Sequence, residues 1–303
     1  MLKVPEHQVA GHIASDGKLG PLVDDEGRFF KPLQGDSRGE HESNFYESFT
    51  SNKKVPDHIH RYFPVYHGTQ LVEASDGSGK LPHLVLDDVV SGYSNPSVMD
   101  VKIGSRTWYP DVSEGYFKKC IKKDRETTTV SLGFRVSGFK IFDHQESSFW
   151  RAEKKLVLGY NADGARLALR KFVSSNSPAD SNLTPPNCAF ASEVYGGSNG
   201  ILVQLLELKD WFETQTLYHF NSCSILMIYE NESILMKGGD DDDVQAARAQ
   251  VKLVDFAHVL DGNGVIDHNF LGGLCSFIKF IKDILLSVDK RHETETSPLE
   301  NGN

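Results

Sequence analysis

No apolar run in the sequence approaches the ~18 residues that a membrane-crossing helix needs. The opening segment, Met1-Leu2-Lys3-Val4-Pro5-Glu6-His7, lacks the apolar core of a secretory leader. Cysteine is scarce. Cys120, Cys188, Cys223 and Cys275 stand far apart with no CxxC pair, which argues against a zinc site or a disulfide framework. Asn182-Leu183-Thr184 and Asn231-Glu232-Ser233 fit the glycosylation triplet but carry no weight without a leader. These absences point to the cytoplasm and nucleus. Positive charge is also short: Lys plus Arg is 32 against 42 for Asp plus Glu, a net charge of −10 at pH 7. Bulk charge of that sign speaks against direct nucleic-acid binding and against coating an anionic membrane. A polyanionic ligand would need a basic patch set locally against this background. No internal repeat is present.

What the chain does have is an ordinary globular composition, 39% hydrophobic and 24% charged over 303 residues. At about 150 residues per unit that suffices for two structural units and a sizeable core. Residues 1–90 are strand-rich. Leu22-Val23 and Arg28-Phe29-Phe30-Lys31-Pro32-Leu33 flank Asp24-Asp25-Glu26-Gly27, a hairpin signal. Glu40 to Phe49, with Phe45 and Phe49 four apart, predicts a short helix. Pro64 to Gly68 and Leu84 to Leu86 read as further strands around a flexible tip, Ser75 to Lys80. Gly92, Asn95 and Pro96 break the pattern, which divides the chain into an N-terminal lobe, 1–90, and a C-terminal lobe, 91–303. The second lobe opens with a strand over Ser97 to Gly104. A basic helix over Tyr116 to Glu126, a long strand over Val130 to Phe142 and a helix over Ala165 to Val173 follow. Ser174 to Ser192 reads as a loop and Ile201 to Phe212 as a helix. Ser224 to Tyr229 and Ser233 to Met236 predict a hairpin, and Val251 to Val259 a strand. Leu274, Phe277, Ile278, Ile281, Leu285 and Val288 line one face of a final helix, and the polar tail 291–303 is expected to be disordered.

Some short patterns fail their motifs. Gly77-Ser78-Gly79-Lys80 ends like a P-loop, but Ala74 and Leu81 stand where that motif needs Gly and Ser or Thr. Asp261-Gly262-Asn263-Gly264 opens like a calcium loop, but Ile266 and Gly272 replace the required Gly and Glu. The aspartate run 240–243 suits a solvated loop of repelling charges better than a cation site.

The sharpest chemical signal is Pro96-Ser97-Val98-Met99-Asp100-Val101-Lys102-Ile103-Gly104. Asp100 and Lys102 are two apart on a strand and so share one face. A carboxylate beside an ammonium suits phosphoryl transfer. The acid orients or deprotonates an attacking hydroxyl, and the amine neutralises charge on the moving phosphate. Taken alone, the pair also suits a surface ion pair. Asp255 closes an apolar run from Val251 to Val254 broken only by Lys252. A carboxylate there needs a partner, and Mg2+ bridging nucleotide phosphates is a natural one. Lys118, Lys119, Lys122, Lys123 and Arg125 crowd the basic helix, where a multiply charged anion would relieve their repulsion. A solvated helix face or a nuclear-import patch is the other reading.

These pieces recur in a telling order. The PxxxDxKxG segment is followed by Cys223-Ser224-Ile225-Leu226, by Val254-Asp255-Phe256-Ala257-His258 and by Asp267-His268-Asn269-Phe270-Leu271-Gly272-Gly273-Leu274. Together they resemble the signature segments of the inositol polyphosphate kinase family, over about Phe30 to Leu274, and most of all its short plant multikinase branch. The resemblance implies a two-lobed α+β fold of protein-kinase-like (SAICAR synthase-like) architecture, with ATP and Mg2+ in the cleft between the lobes. It implies transfer of the ATP γ-phosphate to hydroxyls of soluble inositol tris- and tetrakisphosphates, up to the pentakisphosphate. Lys31 lies on an early strand from which a lysine can reach ATP phosphates. Lys31 and Glu42 match the family's lysine–glutamate pair. Asp88 and Val89, where an apolar strand meets the lobe boundary, match its adenine contacts to within one residue. Asp100 and Lys102 match the catalytic positions, also touching substrate. Asp255 matches the metal ligand, with Ser224 assisting; Cys223 departs from the family's serine and puts a hydroxyl role there in doubt. Lys119, Lys123 and His258 match substrate-phosphate positions. A monomer of the nucleus and cytoplasm, with nuclear protein partners, is expected. A nuclear scaffold, a non-catalytic sensor and a dedicated trisphosphate 3-kinase are the other readings. The intact Lys31, Asp100 and Asp255 argue for catalysis, and the short chain for a multikinase.

Overall fold

Asp24 and Gly27 make the first turn. The Asp24 carboxylate accepts the backbone N–H groups of Glu26 and Arg28, each at 2.9 Å, and Gly27 supplies a φ of +79°. This folds β1 (Leu22–Val23) onto β2 (Arg28–Pro32). After α1 (Ser37–Ser51) and the short α2 (Asp57–His60), a second hairpin joins β3 (Tyr66–Glu73) to β4 (Lys80–Asp87). The four strands pair antiparallel in the order β1-β2-β4-β3. The structure, a computed structural model, describes all residues except 12, 15–16, 36, 111, 180–183, 232–247 and 297–303.

The second sheet is built on β5 (Ser97–Ile103), buried along nearly its whole length. Its alternation divides the two faces. Met99, Val101 and Ile103 enter the large core, while Val98, Asp100 and Lys102 face the other way. Then come α3 (Glu114–Glu126), α4 (Thr129–Leu132), β6 (Phe134–Asp143), β7 (Ser148–Arg151), α5 (Lys154–Leu158), α6 (Ala162–Phe172), α7 (Ala191–Val194) and α8 (Ile201–Phe212). The chain ends with β8 (Tyr218–Phe220), β9 (Ser224–Glu230), β10 (Arg248–Val254), β11 (Val259–Asp261) and α9 (His268–Thr296). The sheet order is β10-β9-β5-β6-β7, all antiparallel, and β11 pairs with β8 in a separate ribbon. Helices α5, α6, α8 and α9 pack against the large sheet. This is the expected two-lobed α+β architecture. One aromatic cluster joins the lobes: Phe45 of α1 and Phe63, with Phe49 packed on both, meet Phe220 and Phe256, and the Phe45 and Phe256 rings lie 4.6 Å apart. Among the described residues no helix is long and apolar enough to cross a membrane.

Several expected boundaries shift. The strand over Val130 to Phe142 begins only at Phe134, because Gly133 at φ +74° closes the turn of α4 before it. The strand over Val251 to Val259 breaks at Asp255, whose φ is +69°. The partner of Ser224–Glu230 across the sheet is β10; the expected Ser233 to Met236 strand and the aspartate run 240–243 lie outside the described residues. The 174–192 loop ends in α7 at Ala191. The final helix continues to Thr296, so disorder from Arg291 is not found over 291–296, and 297–303 lie outside the described residues.

The N-terminal segment was not legible as an element, yet it bridges both lobes. Lys3 pairs with Val23 in the first sheet. Farther on, the Lys140 ammonium donates to the Glu6 carbonyl at 2.9 Å, and Val9 packs with Val89, Val90 and Leu226 over Val98 and Ile228.

Candidate active site

Strand register assembles the site. On β9, Leu226 lies opposite Asp100 and Ser224 opposite Lys102, so Asp100, Lys102 and Ser224 share a face. Ser224 in turn lies opposite Val254, the last residue of β10, which delivers Asp255 beside it. Ser222 at φ +58° and Asp255 at φ +69° are both left-handed, an uncommon conformation for residues other than glycine that concentrates at functional sites. The Lys102 ammonium donates to the Ser222 carbonyl.

The upper lobe reaches down onto this face. Lys31 Nζ donates to Glu42 Oε1 at 2.8 Å and to Asp255 Oδ1 at 3.0 Å. Glu42 is buried and also accepts the Phe256 N–H at 3.1 Å. One carboxylate thus fixes the lysine and ties α1 to the segment carrying Asp255. Burial works against the Lys31 charge, but Glu42 and Asp255 overcome it and hold the ammonium above its usual range. Burial likewise works against the Asp255 carboxylate, yet Lys31 and then Lys102 pull it down to about 2. Its side chain is 45% accessible, so it opens to the cleft.

Asp100 behaves oppositely. Burial first, and then the Asp255 charge, push its carboxyl up to about 6, although Lys102 pulls the other way. Its Oδ1 is buried without a hydrogen-bond partner, as are Ser224 Oγ and Ser137 Oγ. Ser137 is the extra residue of a bulge, where the register of β6 against β5 jumps from Gly138 to Val136. Both hydroxyls stand close enough to favour the charged form of Asp100, but neither is aligned for a hydrogen bond. Buried polar atoms left unpaired together are what a ligand would complete. Of these, Ser224 Oγ stands beside Asp255, and the two offer the oxygen donors that Mg2+ prefers. No group of three or more His, Cys, Asp and Glu side chains forms a ready metal cage among the described residues. Cys223 is buried with Sγ toward the Asn221 carbonyl at 3.5 Å, away from any hydroxyl-like role.

The basic helix presents two different faces. Lys118 and Lys122 pair with Glu114 and Glu126 on the solvent side. Asp124, only 2% exposed, anchors the opposite side: it accepts Thr107 N–H and Oγ1–H, each at 2.8 Å, and pairs with Arg135 at 3.3 Å. Arg135 lies across from Lys102 on β6. Lys123 keeps solvent contact, yet the surrounding protein, followed by Arg135, Lys102, Lys154 and Lys119, presses its ammonium down to about 8. Lys102 and Lys119 thus lie near enough to Lys123 to repel it, in one basic neighbourhood. His258 lies between Tyr109 and Tyr116, and burial, then Lys102 and Arg38, lower it to about 4.

At the lobe junction Asp88 donates its N–H to the Gly27 carbonyl at 2.8 Å and accepts Ser91 N–H at its own carbonyl at 3.1 Å. Its carboxylate accepts the Val90 N–H at 3.2 Å. Both backbone groups of Asp88 therefore serve the turn, with Asp87 and Val89 flanking it.

Lys31, Glu42, Asp100, Lys102, Ser224 and Asp255 thus converge on one cleft, with Lys119, Lys123 and His258 at its basic side. Arg38, Tyr109, Tyr116, Arg135, Ser137 and Lys154 were missed. Arg38 had a faint signal, four residues before Glu42 on one helix face; Tyr116 had one too, three before Lys119 and seven before Lys123.

Comparison with known proteins gives the family. A family model described as inositol polyphosphate kinase matches residues 83–282. The chain is 93% identical over 302 residues to inositol polyphosphate multikinase beta of Arabidopsis thaliana, covering 100% of both. It is 73% identical to the alpha protein of the same plant, over 95% of this chain and 98% of that one. It is 50% identical to an inositol polyphosphate multikinase of Oryza sativa subsp. indica, over 98% and 99%. A solved inositol phosphate multikinase superposes with a TM-score of 0.68 at 65% identity, covering 80% of this chain and 99% of that one. An S. cerevisiae inositol phosphate multikinase solved with ADP and Mn2+ shares the fold, at a TM-score of 0.63 and 21% identity over 85% and 99%. The chain belongs to the inositol polyphosphate kinase family.

Proposed function

We propose that this protein is an ATP-dependent multikinase that phosphorylates soluble inositol tris- and tetrakisphosphates up to the pentakisphosphate. The observation that carries this is the meeting of Lys31, Asp255, Asp100 and Lys102 across one cleft, with Lys31 Nζ 3.0 Å from Asp255 Oδ1. Asp255, with Ser224 beside it, would hold Mg2+, which would supply charge to neutralise the nucleotide phosphates. Lys31, its rotamer set by Glu42, binds those phosphates from the upper lobe. The Asp87 carbonyl and the Val89 amide, on either side of the engaged Asp88, read the adenine edge, over the apolar floor of Val98 and Leu226. Asp100 receives the proton of the attacking inositol hydroxyl. A carboxyl at about 6 is mostly ionised at pH 7 and still basic enough for the task. Lys102, steadied by the Ser222 carbonyl, offsets charge on the transferring group. Lys119, Lys123 and the His258 cluster hold the acceptor's other phosphates. On this reading the enzyme acts as a monomer in nucleus and cytoplasm, testable by sedimentation and by imaging of the tagged chain.

The test is incubation with Mg-ATP and inositol 1,4,5-trisphosphate, followed by separation of products by isomer. Tetrakis- and then pentakisphosphate are expected. A single tetrakisphosphate that accumulates without further reaction gives a dedicated 3-kinase, and no phosphorylated product refutes the proposal.

A further inference from the structure

His258 has both ring nitrogens engaged. Nδ1 lies 3.1 Å from the Tyr109 hydroxyl and Nε2 lies 3.0 Å from the Tyr116 hydroxyl. The three rings form a cluster, His258 lying 5.6 Å from Tyr109 and 5.3 Å from Tyr116 between centroids. With its nitrogens so placed, and lowered to about 4, the ring is neutral at pH 7. A neutral imidazole offers one N–H and one lone pair. One tyrosine therefore donates to the ring and the other accepts from it. The accepting hydroxyl keeps its own proton for a third group.

Helix geometry indicates which tyrosine that is. Tyr116 precedes Lys119 by three residues and Lys123 by seven, so these side chains form one stripe of α3. Lys118 and Lys122 are engaged elsewhere, on the solvent side. Burial and the Cys120 thiol, four residues on, act most on the Tyr116 hydroxyl, and cations from two further elements act on the same spot: Arg38 of α1 on both Tyr116 and His258, and Lys102 of β5 on His258. A neutral, directed donor set among point charges adds orientation that ammonium groups alone do not.

We infer that Tyr116 is a substrate-binding residue of this site: its hydroxyl accepts the Nε2–H of His258 and donates its proton to a phosphate oxygen of the inositol phosphate. Tyr109 donates to Nδ1 and so fixes the tautomer. His258 is then a positioning residue that aims Tyr116, rather than a cation that binds phosphate itself. A site that recognises one phosphate through an aimed hydrogen bond discriminates among isomers presenting that phosphate differently. This assignment rests on the inositol phosphate kinase reading.

The experiment measures initial rates with Mg-ATP and varied inositol 1,4,5-trisphosphate for wild type, Tyr116→Phe, His258→Ala and the double variant. Tyr116→Phe should raise KM for the trisphosphate about tenfold or more, the effect of losing one hydrogen bond to a charged group, with KM for ATP moving less than about twofold. His258→Ala should raise it too, and the double variant should be no worse than the worse single, because both act through one bond. Calorimetric binding of the trisphosphate without ATP, and thermal melting, are measured on the same samples, so that a folding defect is seen directly. An unmoved trisphosphate KM in a folded Tyr116→Phe overturns the assignment. So do additive losses, which mean independent contacts, and an equal rise in KM for ATP. Wild type that phosphorylates no inositol phosphate refutes the kinase reading instead.

Discussion

Asp100 sits at 6% exposure with Asp255 across the cleft, and its carboxyl is held at about 6 against an ordinary 3.8. At ~1.4 kcal/mol per tenfold change in proton affinity, that difference corresponds to about 3 kcal/mol. Its sign follows from proton binding. Between pH ~4 and ~6 the folded state holds the proton that the unfolded state has released, so stability falls as pH rises through that window and then levels off. Asparagine carries no charge to bury, and the unpaired Ser137 and Ser224 hydroxyls can accept from its amide. Asp100→Asn should therefore be more stable than wild type above pH ~7 by up to about 3 kcal/mol, and no more stable near pH 4. For a chain of 303 residues, an unfolding entropy of about 2.1 cal/mol/K per residue turns this into a Tm rise of about 5 °C. Turnover moves the other way, falling by about 10²- to 10⁴-fold as the proton acceptor is lost. Wild-type kcat/KM should correspondingly fall as pH drops below ~6, the range in which Asp100 protonates. The assay is calorimetric melting in metal-free buffer at pH 4.5 and 7.5, alongside initial rates. A variant no more stable at pH 7.5, or stabilised equally at both pH values, refutes the reasoning; near wild-type turnover removes Asp100 from the mechanism.

Lys119→Ala combined with Lys123→Ala should raise KM for the inositol phosphate by at least about tenfold and leave KM for ATP nearly unmoved; a fall in ATP affinity instead would place α3 on the wrong side of the cleft. Glu42→Gln leaves Lys31 with Asp255 as its carboxylate partner among the described residues and weakens the hold on Phe256 N–H. It should cost about 2 kcal/mol in urea unfolding and raise KM for ATP, whereas unchanged values of both would mean that the pair is incidental. A Cβ at Gly138 would lie 2.1 Å from the Val9 carbonyl. Gly138→Ala should therefore release the N-terminal segment, seen as faster limited proteolysis and a lower Tm. Deleting residues 1–9 should abolish most of that penalty, and a penalty that persists would locate the clash elsewhere.

The pattern of what the sequence revealed is itself physical. Period-two alternation placed Asp100 and Lys102 on one face, and strand pairing kept them there because Met99 and Val101 must enter the core. Apolar periodicity likewise found α8 to the residue. Backbone dihedrals left no such trace. Asp255 at φ +69° ends β10, and Gly133 at φ +74° starts β6 late, but both stand in stretches whose hydropathy reads as continuous. Long-range ion pairs were hidden for another reason. Asp124 is one acid within a basic run, and only its distant partners Arg135 and Thr107 show that it is a buried anchor. The N-terminal segment has no periodicity, since it docks through a single bridge at Lys3, the Glu6 carbonyl and Val9 rather than along a helix or strand face. The role of Asp88 in the turn was hidden for a like reason, since which backbone groups a turn consumes leaves no trace in hydropathy.

The same features explain how a stable scaffold can hold an unstable site. Ser222 and Asp255 occupy left-handed backbone, and Asp100, Ser137 and Ser224 bury unpaired polar atoms. Such defects persist only where surrounding structure over-determines them. Here β5 is sandwiched between β9 and β6, and Met99, Val101, Ile225 and Met227 are fully buried beneath the site. The charged groups are set against one another in the same way: Asp255 is held low by Lys31 and Lys102, and in turn raises Asp100. Two acids in one cleft are thereby set to opposite tasks: Lys31 and Lys102 keep Asp255 ready for a cation, while burial and the Asp255 charge keep Asp100 ready for a proton. Breaking the Lys31 contact should act on Asp255. Lys31→Met would weaken nucleotide binding and also lift Asp255, whereas a residue acting on nucleotide alone would leave the acids untouched; titrating Asp255 by carbon-13 NMR in the variant distinguishes the two, and an unshifted Asp255 would break the link.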